Sequence, residues 1–227
     1  MAVFVTGDCH GDFRKIYYFA EKMELKEGDA IIVLGDMGLF WRNDRQDADV
    51  FIRNFEDNWK FNLYFVDGNH ENFHQLNSLP EDAEGMGYIS EHIRHLKRGR
   101  RYNINGKDIL AIGGADSVDR HWRTPELSWW QEETITQADI DRVEPGHYDY
   151  VLSHTCPLYV FEANKPYLCT LNNIVDDEEP LFKISNNYLE KLLDKITFNE
   201  WYFGHYHTDL YLGDNYTCLF HAFKELN

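Results

Sequence analysis

Short apolar runs alternate with amphipathic stretches in the first third of the chain. Residues 3–5, 30–34 and 63–66 are rich in β-branched and aromatic side chains, and each run is followed by Gly or Asp and a polar turn, as is typical of core strands. Between these runs, residues 13–23 and 44–59 place apolar side chains at helical spacing. The pattern therefore predicts strands alternating with helices, as in a βαβ layout.

The second half of the chain is predicted to be richer in hairpins. Residues 100–104 and 108–112 flank Asn105-Gly106, a dipeptide that suits the positive φ angles of a type I′ turn, so these two runs are predicted to form a hairpin. Later strands are predicted at residues 150–152, 201–203, 210–212 and 216–220.

Three short helices are predicted in this half. One opens at Thr124-Pro125, one runs from Thr136 to about Val143, and one covers residues 186–195. Early βα units followed by hairpins predict an α/β fold in which two packed sheets are flanked by helices, as a single domain over residues 1–227. Residues 116–145 are predicted to form a cap over one face of that domain.

The composition is that of a folded globular protein. Of the 227 residues, 43% are apolar and 27% are charged, and the longest apolar stretch is residues 30–34, far short of the roughly 20 residues that cross a bilayer. The start of the chain lacks the features of a secretory signal, which predicts a cytoplasmic location. Four scattered cysteines without a Cys-x-x-Cys pair are predicted to be reduced thiols.

Acidic residues dominate the charge. Twenty-two Lys and Arg residues against 39 Asp and Glu residues give a formal net charge of −17, which repels polyanions from most of the surface. Extended nucleic acid is therefore disfavoured as a partner. A small phosphorylated substrate remains compatible, because two divalent cations would bring about +4 of local charge.

Polar segments that carry Asp, Asn and His follow five predicted strands. They are Gly7-Asp8-Cys9-His10-Gly11-Asp12, Gly35-Asp36, Gly68-Asn69-His70-Glu71, Ser153-His154 and Gly204-His205-Tyr206-His207. Glycine allows the backbone to turn sharply at a strand end, and oxygen and imidazole donors suit Mn, Fe, Ni or Zn. The sequence therefore predicts a site for two divalent ions, whose natural chemistry is the in-line displacement of phosphoryl transfer.

These blocks, in this order, resemble the calcineurin-like metallophosphoesterase family. The shared pattern is Asp-x-His, Gly-Asp, Gly-Asn-His-Glu, His and Gly-His-x-His, and it extends from Asp8 to His207. The resemblance implies a four-layer β-sandwich of two mixed sheets flanked by helices. It also implies metal-dependent hydrolysis of a phosphoester.

The resemblance further implies seven metal ligands and one catalytic histidine. His70 would protonate the leaving oxygen or stabilise its charge without binding metal. The nucleophile would be a hydroxide that bridges the metal ions, because bound cations lower the pKa of water from about 15.7 toward 7. The ligands of one ion are then Asp8, His10 and His207, those of the other are Asn69, His154 and His205, and Asp36 bridges both.

Other polar residues lie among these blocks. Cys9 is predicted to pack in the core rather than bind metal, since adjacent strand residues point to opposite faces. Glu71 and Asp12 are predicted to orient the histidines by hydrogen bonds, with simple turn polarity an equal alternative for Asp12. Asp67 is predicted to be a surface carboxylate or a hydrogen-bond partner of a ligand.

Substrate recognition requires cationic groups near the phosphoryl oxygens. Arg42 follows the second predicted strand in a suitable position, and Arg120 and Arg123 follow Gly113-Gly114. Two readings of the neighbouring Trp129 and Trp130 stay open. They either stack on a base of the substrate or anchor a peripheral helix to the core.

The serine/threonine protein phosphatase branch of the family shares the blocks at residues 7–11 and 68–71. Residues 37–42 replace its Asp-Arg-Gly continuation, and Asp67 stands where it has a phosphate-gripping arginine. We therefore favour a small bacterial or phage-type phosphoesterase acting on a phosphomonoester or phosphodiester, nucleotides included. A protein phosphatase is the second hypothesis, and a metal-containing binding module without activity is the third. The sequence predicts no oligomeric state.

Overall fold

Two β-sheets, each of six strands, form the centre of the computed structural model, which describes residues 1–41, 45–169 and 183–227. In chain order, the first sheet contains β1 (Val3–Thr6), β2 (Ala30–Leu34), β3 (Asn62–Val66), β4 (Gly87–Tyr88), β5 (Ile93–His95) and β12 (Phe223–Glu225). The second contains β6 (Arg100–Ile104), β7 (Lys107–Ile112), β8 (Gly146–Ser153), β9 (Ile196–Phe203), β10 (Leu210–Gly213) and β11 (Tyr216–Cys218).

Each sheet has a parallel centre and antiparallel edges. The spatial order is β12-β1-β2-β3-β5-β4 in the first sheet and β10-β11-β9-β8-β7-β6 in the second. The first and last strands of each order pair antiparallel with their neighbours, and the four inner strands are parallel. Both sheets are therefore mixed, as predicted.

Helices cover the outer face of each sheet. Those packed on the first sheet are α1 (Arg14–Met23), α2 (Gln46–Asn58) and α3 (Phe73–Asn77). Those packed on the second are α4 (Gln137–Arg142), α5 (Leu158–Leu168) and α6 (Ile184–Leu192). The order helix, sheet, sheet, helix confirms the predicted four-layer α/β sandwich.

Side chains of the first sheet alternate between two buried cores. Phe4 and Val33 point toward the helices, whereas Val5 and Leu34 point toward the second sheet, where they share a core with Leu152. Because both faces are covered, these strands are continuously apolar rather than alternating. This double burial explains why their positions are so clear in the sequence.

The early elements and the hairpin lie where the pattern predicts them. Strands β1 to β3 and helices α1 and α2 agree with the predicted bounds to within two residues. Strands β6 and β7 turn through Asn105 and Gly106 at φ angles of 52° and 83°, as a type I′ turn requires. Helix α4 begins after Thr136, whose capping box with Asp139 satisfies the first backbone donors.

Other local predictions were wrong. Thr124-Pro125 opens no helix, because Glu126 has a left-handed φ of 61° and Pro125 pairs with Trp129 across a tight turn. The last predicted helix lies at Ile184–Leu192, so it begins and ends earlier than residues 186–195. Helix α5 was missed, since Pro166 lies within it. No helix among the described residues is long and apolar enough to cross a membrane.

Candidate metal centre

The predicted ligands lie on loops that follow the carboxyl ends of central strands in both sheets. These loops follow β1, β2 and β3 in the first sheet and β8 and β9 in the second. Four predicted ligands have left-handed φ angles, at 49° in His10, 47° in Asp36, 70° in His205 and 50° in His207. Such backbone costs a non-glycine residue about 1–3 kcal/mol and persists where the surroundings enforce it, often at functional sites.

Two glycines are required because ligand carboxylates press against the backbone. A Cβ atom on Gly68 would lie 2.1 Å from Asp36 Oδ1, and one on Gly204 would lie 2.3 Å from Asp8 Oδ1. Any larger residue would displace the carboxylate. Glycine before Asn69 and before His205 therefore serves close packing of the loops.

The first donor group consists of Asp8, His10 and His207. Their ligand atoms converge, with Asp8 Oδ2 3.1 Å from His207 Nε2 and 3.7 Å from His10 Nε2, and the two Nε2 atoms 2.9 Å apart. Asp8 Oδ2 is buried and accepts no hydrogen bond. A carboxylate oxygen buried in this way is costly unless a cation satisfies it, so the group fits a divalent ion.

The second donor group consists of Asp36, Asn69 and His154. His154 Nε2 lies 3.1 Å from Asn69 Oδ1 and 3.4 Å from Asp36 Oδ1, while its Nδ1 donates to the Leu34 carbonyl at 2.7 Å. That bond orients the ring so that Nε2 faces the oxygens. The three side chains are fully or almost fully buried and fit a second ion.

Charge at the second group favours a cation. Burial lowers the pKa of His154, but the carboxylates of Asp36 and Asp8 outweigh it and raise the pKa to about 9. The carboxylates thus hold a proton on His154 when no metal ion is bound. A divalent ion would take the place of that proton.

His205 lies beside the second group. Its ring centroid is 5.0 Å from that of His154, and its backbone N–H donates to Asp8 Oδ1 at 3.0 Å. Burial and the neighbouring His154 lower the pKa of His205 to about 3, which keeps its imidazole in the neutral form that binds metal.

Asp36, a member of the second donor group, also faces the first. Its Oδ2 lies 3.7 Å from His10 Nε2, and its Oδ1 lies 3.4 Å from His154 Nε2. The backbone N–H of His70 donates to Oδ1 at 2.7 Å, which fixes the carboxylate in this orientation. One carboxylate between two donor groups is the geometry of a bridging ligand.

His70 lies at the mouth of the centre, next to Arg123. Its Nε2 is 4.0 Å from Asp36 Oδ2 and 2.8 Å from Arg123 Nη2. Burial lowers the pKa of His70 to about 4, Asp36 opposes this change, and Arg123 adds to it. Arg123 is itself held by Asp119 at 2.7 Å and lies over the Trp41 ring at 5.3 Å. The segment predicted as a cap thus reaches the predicted catalytic histidine.

A buried hydrogen-bond chain that the sequence did not reveal orients Asn69. Asn69 Nδ2 donates to Ser117 Oγ at 3.1 Å, and Ser117 Oγ donates to Glu133 Oε2 at 2.7 Å. The Ser117 N–H donates to the other oxygen of Glu133 at 2.6 Å. Because the Asn69 amide nitrogen is engaged, its oxygen faces His154. The sequence carries no signal for this hydrogen-bond chain, because Ser117 and Glu133 are 16 residues apart and each lies among other polar residues.

Replacing Ser117 with alanine is expected to weaken metal binding at the second donor group by about 10- to 100-fold, because the Asn69 amide loses the bond that orients it. Calorimetric titration of chelator-treated protein with Mn²⁺ measures this loss. Ser78→Ala, which removes an exposed hydroxyl that bonds to Gln75, is the matched control. Equal affinities in the Ser117 variant and the control would contradict the positioning role.

Glu133 is expected to make stability depend on pH. Burial raises its pKa to about 7 from an ordinary 4.5, and the Ser117 hydrogen bonds oppose the rise only in part. The folded state therefore holds a proton that the unfolded chain releases, so the free energy of unfolding falls as pH rises from about 4.5 to 7. The total is up to about 3 kcal/mol.

Urea unfolding of metal-free protein at pH 4.5 and 7.5 tests this dependence. The stability of the wild type relative to Glu133→Gln should be higher at pH 4.5 than at pH 7.5, because glutamine does not titrate. The same difference at both pH values would show that Glu133 does not titrate between them.

Lys15 connects the loop that carries Asp8 to Phe220, and it was also missed. Its ammonium group donates to the carbonyls of Gly7 and Asp8 at 2.8 Å each and to that of Phe220 at 2.5 Å. The Phe220 ring in turn stacks on His207, with centroids 4.6 Å apart. One half-buried lysine thus supports both the loop of Asp8 and the residue that stacks on His207.

Predictions for the residues around the ligands had mixed outcomes. Cys9 is buried in the core, as predicted. Glu71 does not orient a histidine, because its carboxylate accepts the backbone N–H of Met37 at 2.8 Å and so holds the loop after β2. Asp12 pairs with Arg14 instead of a histidine, which agrees with the alternative of simple turn polarity.

Asp67 is neither on the surface nor bound to a predicted ligand. Its side chain is 2% exposed and pairs with Arg98 at 2.5 Å and His95 at 3.1 Å. Burial raises the pKa of Asp67, but Arg98 and His95 more than offset it and keep the pKa well below its usual range. Asp67 therefore stays charged in the interior.

The predicted substrate-binding residues differ in placement. Arg42 lies outside the described residues. Arg123 adjoins His70, whereas Arg120 begins a short 3₁₀ helix three residues earlier. Trp130 is 1% exposed and packs 6.5 Å from the Trp41 ring, so it anchors the segment and cannot stack on a base, while Trp129 is half-buried.

Comparison with known proteins agrees with this arrangement. No curated protein matches the chain significantly. A model of the family described as calcineurin-like phosphoesterase matches residues 1–209, a range that includes all of the predicted ligands. Metal-dependent phosphoester hydrolysis is the general activity that this match supports. The chain belongs to the calcineurin-like phosphoesterase family.

Proposed function

We propose that the protein hydrolyses a phosphomonoester or phosphodiester, nucleotides included, with two divalent metal ions. In this proposal seven side chains hold the ions. Those of one ion are Asp8, His10 and His207, those of the other are Asn69, His154 and His205, and Asp36 bridges both. The observation that carries the proposal is the position of Asp36 between two groups of converging donors, 3.7 Å from His10 and 3.4 Å from His154.

Two bound cations of Mn, Fe, Ni or Zn would act as Lewis acids on the phosphoryl group and generate a hydroxide nucleophile at neutral pH. The chain itself places the remaining groups. His70, whose Nε2 lies 4.0 Å from Asp36 Oδ2, would face the substrate phosphorus and hold a ring N–H toward the leaving oxygen. Leu34, Ser117 and Glu133 orient the ligands.

Arg123 takes the place of the phosphate-gripping arginines of the protein phosphatase branch. Its guanidinium is 2.8 Å from His70 Nε2, and its side chain is only 7% exposed. A guanidinium buried to this extent can donate two hydrogen bonds to one phosphoryl group. Residues 116–145 would thus close one side of the site, which supports their proposed role as a cap.

The Arg123→Met variant is expected to lose about 100-fold in kcat/KM, as is typical when a donor to transition-state charge is removed. Arg123→Lys keeps the positive charge but loses the planar guanidinium that donates two parallel hydrogen bonds, so it should retain an intermediate rate. Steady-state kinetics on a phosphomonoester measures both rates, with metal content determined in parallel. Full activity of the Met variant at unchanged metal content would rule out a role for Arg123 in binding phosphate.

Activity is tested on chelator-treated protein reconstituted with each metal in turn. Nitrophenyl phosphate, bis-nitrophenyl phosphate, nucleotides and a phosphoserine peptide form the substrate panel. We expect hydrolysis that requires metal, at two ions per chain by elemental analysis. Turnover of the phosphopeptide above that of nucleotides would instead favour the protein phosphatase hypothesis. Tight metal binding without turnover of any ester would favour a binding module.

A further inference from the structure

A cavity of about 730 Å³ opens beside the metal centre and extends away from it. His10 and His70 line the end nearest the metal ligands, and the cavity continues between α1 and α2. Its volume lies within the roughly 300–1,000 Å³ of small-molecule sites. It is far larger than a phosphoryl group needs, so it has room for an organic substituent.

Aromatic and aliphatic side chains form much of its wall. Phe13 and Tyr17 line it from the α1 side, and Val50 and Phe51 line it from α2. Trp41 also lines it, with its ring centroid 5.0 Å from that of His70. The rings of Phe13 and Phe51 are in contact, with centroids 3.8 Å apart. Such a surface binds a planar or bulky apolar group by burying it from water.

Charge in the cavity disfavours an anionic occupant. The charged side chains that line it are two carboxylates, Asp12 and Asp47, and one guanidinium, Arg14. Arg14 is bound to Asp12 at 2.8 Å, and the carboxylate of Asp47 leaves the charged lining with a net negative charge. A second phosphate on the substrate is therefore disfavoured in this cavity.

We propose that this cavity receives the leaving alcohol of the substrate, and that the preferred alcohol is uncharged and aromatic or bulky and apolar. The inference rests on the proposed function, because His70 is there assigned to the leaving oxygen and His70 lines the cavity. A substituent on that oxygen would enter the cavity directly. The non-bridging oxygens of the phosphoryl group would then lie on the side nearer Arg123.

Benzyl phosphate and ethyl phosphate provide the first test, since both release primary alcohols of similar acidity. Burial of the ring should raise kcat/KM for benzyl phosphate by at least about tenfold over ethyl phosphate. A ratio near one would overturn the inference while leaving the proposed function intact. Phenol esters are avoided, because their better leaving group would raise the rate without any binding.

Variants on α2 test the location. Asn54 is an exposed residue of the helix that lines the cavity. Asn54→Trp should fill part of the cavity and lower the ratio of kcat/KM for benzyl phosphate to that for ethyl phosphate at least about threefold, while ethyl phosphate turnover changes little. Arg53→Trp places the same side chain on the same helix but outside the lining, and it should keep the wild-type ratio. Equal ratios in the two variants would overturn the location.

Binding without turnover separates this inference from the proposed function. Calorimetry on Mn-loaded protein should give a dissociation constant for benzylphosphonate at least about tenfold below that for methylphosphonate, and Asn54→Trp should reduce that difference. If neither ester is hydrolysed but this preference is found, the proposed function fails and the cavity stands as a binding site. Equal affinity for the two phosphonates would overturn the cavity assignment.

Discussion

Asp36→Asn is expected to lower kcat/KM by on the order of 1,000-fold or more, because a bridging carboxylate contributes several kcal/mol through the metal ions it holds. Its two oxygens face His10 and His154 in different donor groups, and an amide can present only one oxygen and no charge. The metal content should fall below that of the wild type as well. Steady-state kinetics and elemental analysis of the same preparation measure both effects.

Asp57→Asn is the matched control for this experiment. Asp57 is an exposed carboxylate on α2, so its change alters the net charge equally without touching the donor groups. The control should keep wild-type activity and metal content. An Asp36→Asn protein with full activity and two bound ions would disprove the bridging assignment and the two-ion mechanism with it.

Arg98→Met is expected to lower the free energy of unfolding by about 3–5 kcal/mol, since it leaves the carboxylate of Asp67 buried without its main partner. The Arg98 side chain is 10% exposed, donates to Asp67 at 2.6 Å and also donates to the backbone carbonyls of Glu133 and Thr134. Removing it leaves these acceptors unsatisfied too. Urea unfolding monitored by tryptophan fluorescence measures the change.

Arg101→Met provides the comparison on the surface. Arg101 pairs with Asp108, but the two side chains are 39% and 30% exposed, so the loss should be at most about 1 kcal/mol. A double variant, Arg98→Met with Asp67→Leu, should recover part of the stability by removing the isolated charge. A loss in Arg98→Met no larger than that in Arg101→Met would show that Asp67 is solvated or protonated in the folded protein.

Local patterns predicted the elements that are buried on both faces. Strands β1 and β2 lie between two hydrophobic cores, so their sequence is apolar except for the terminal Thr6, and their ends are marked by the polar residues that follow. Helix α5 was hidden because Pro166 interrupts the helical pattern. The turn after Thr124 was misread, since the left-handed backbone at Glu126 depends on pairing with Trp129.

The sequence alone determined the type, order and strand-end positions of the predicted metal ligands, because a sharp turn after a strand is a local property of glycine and its neighbours. Only the tertiary structure brought residues distant in the chain into contact. Asp36 lies between His10 and His154, Ser117 and Glu133 orient Asn69, and Arg123 reaches His70. These contacts depend on how the two sheets pack and on which buried polar atoms require a hydrogen-bond partner. Neither the packing nor the partners can be predicted from a short segment of the chain.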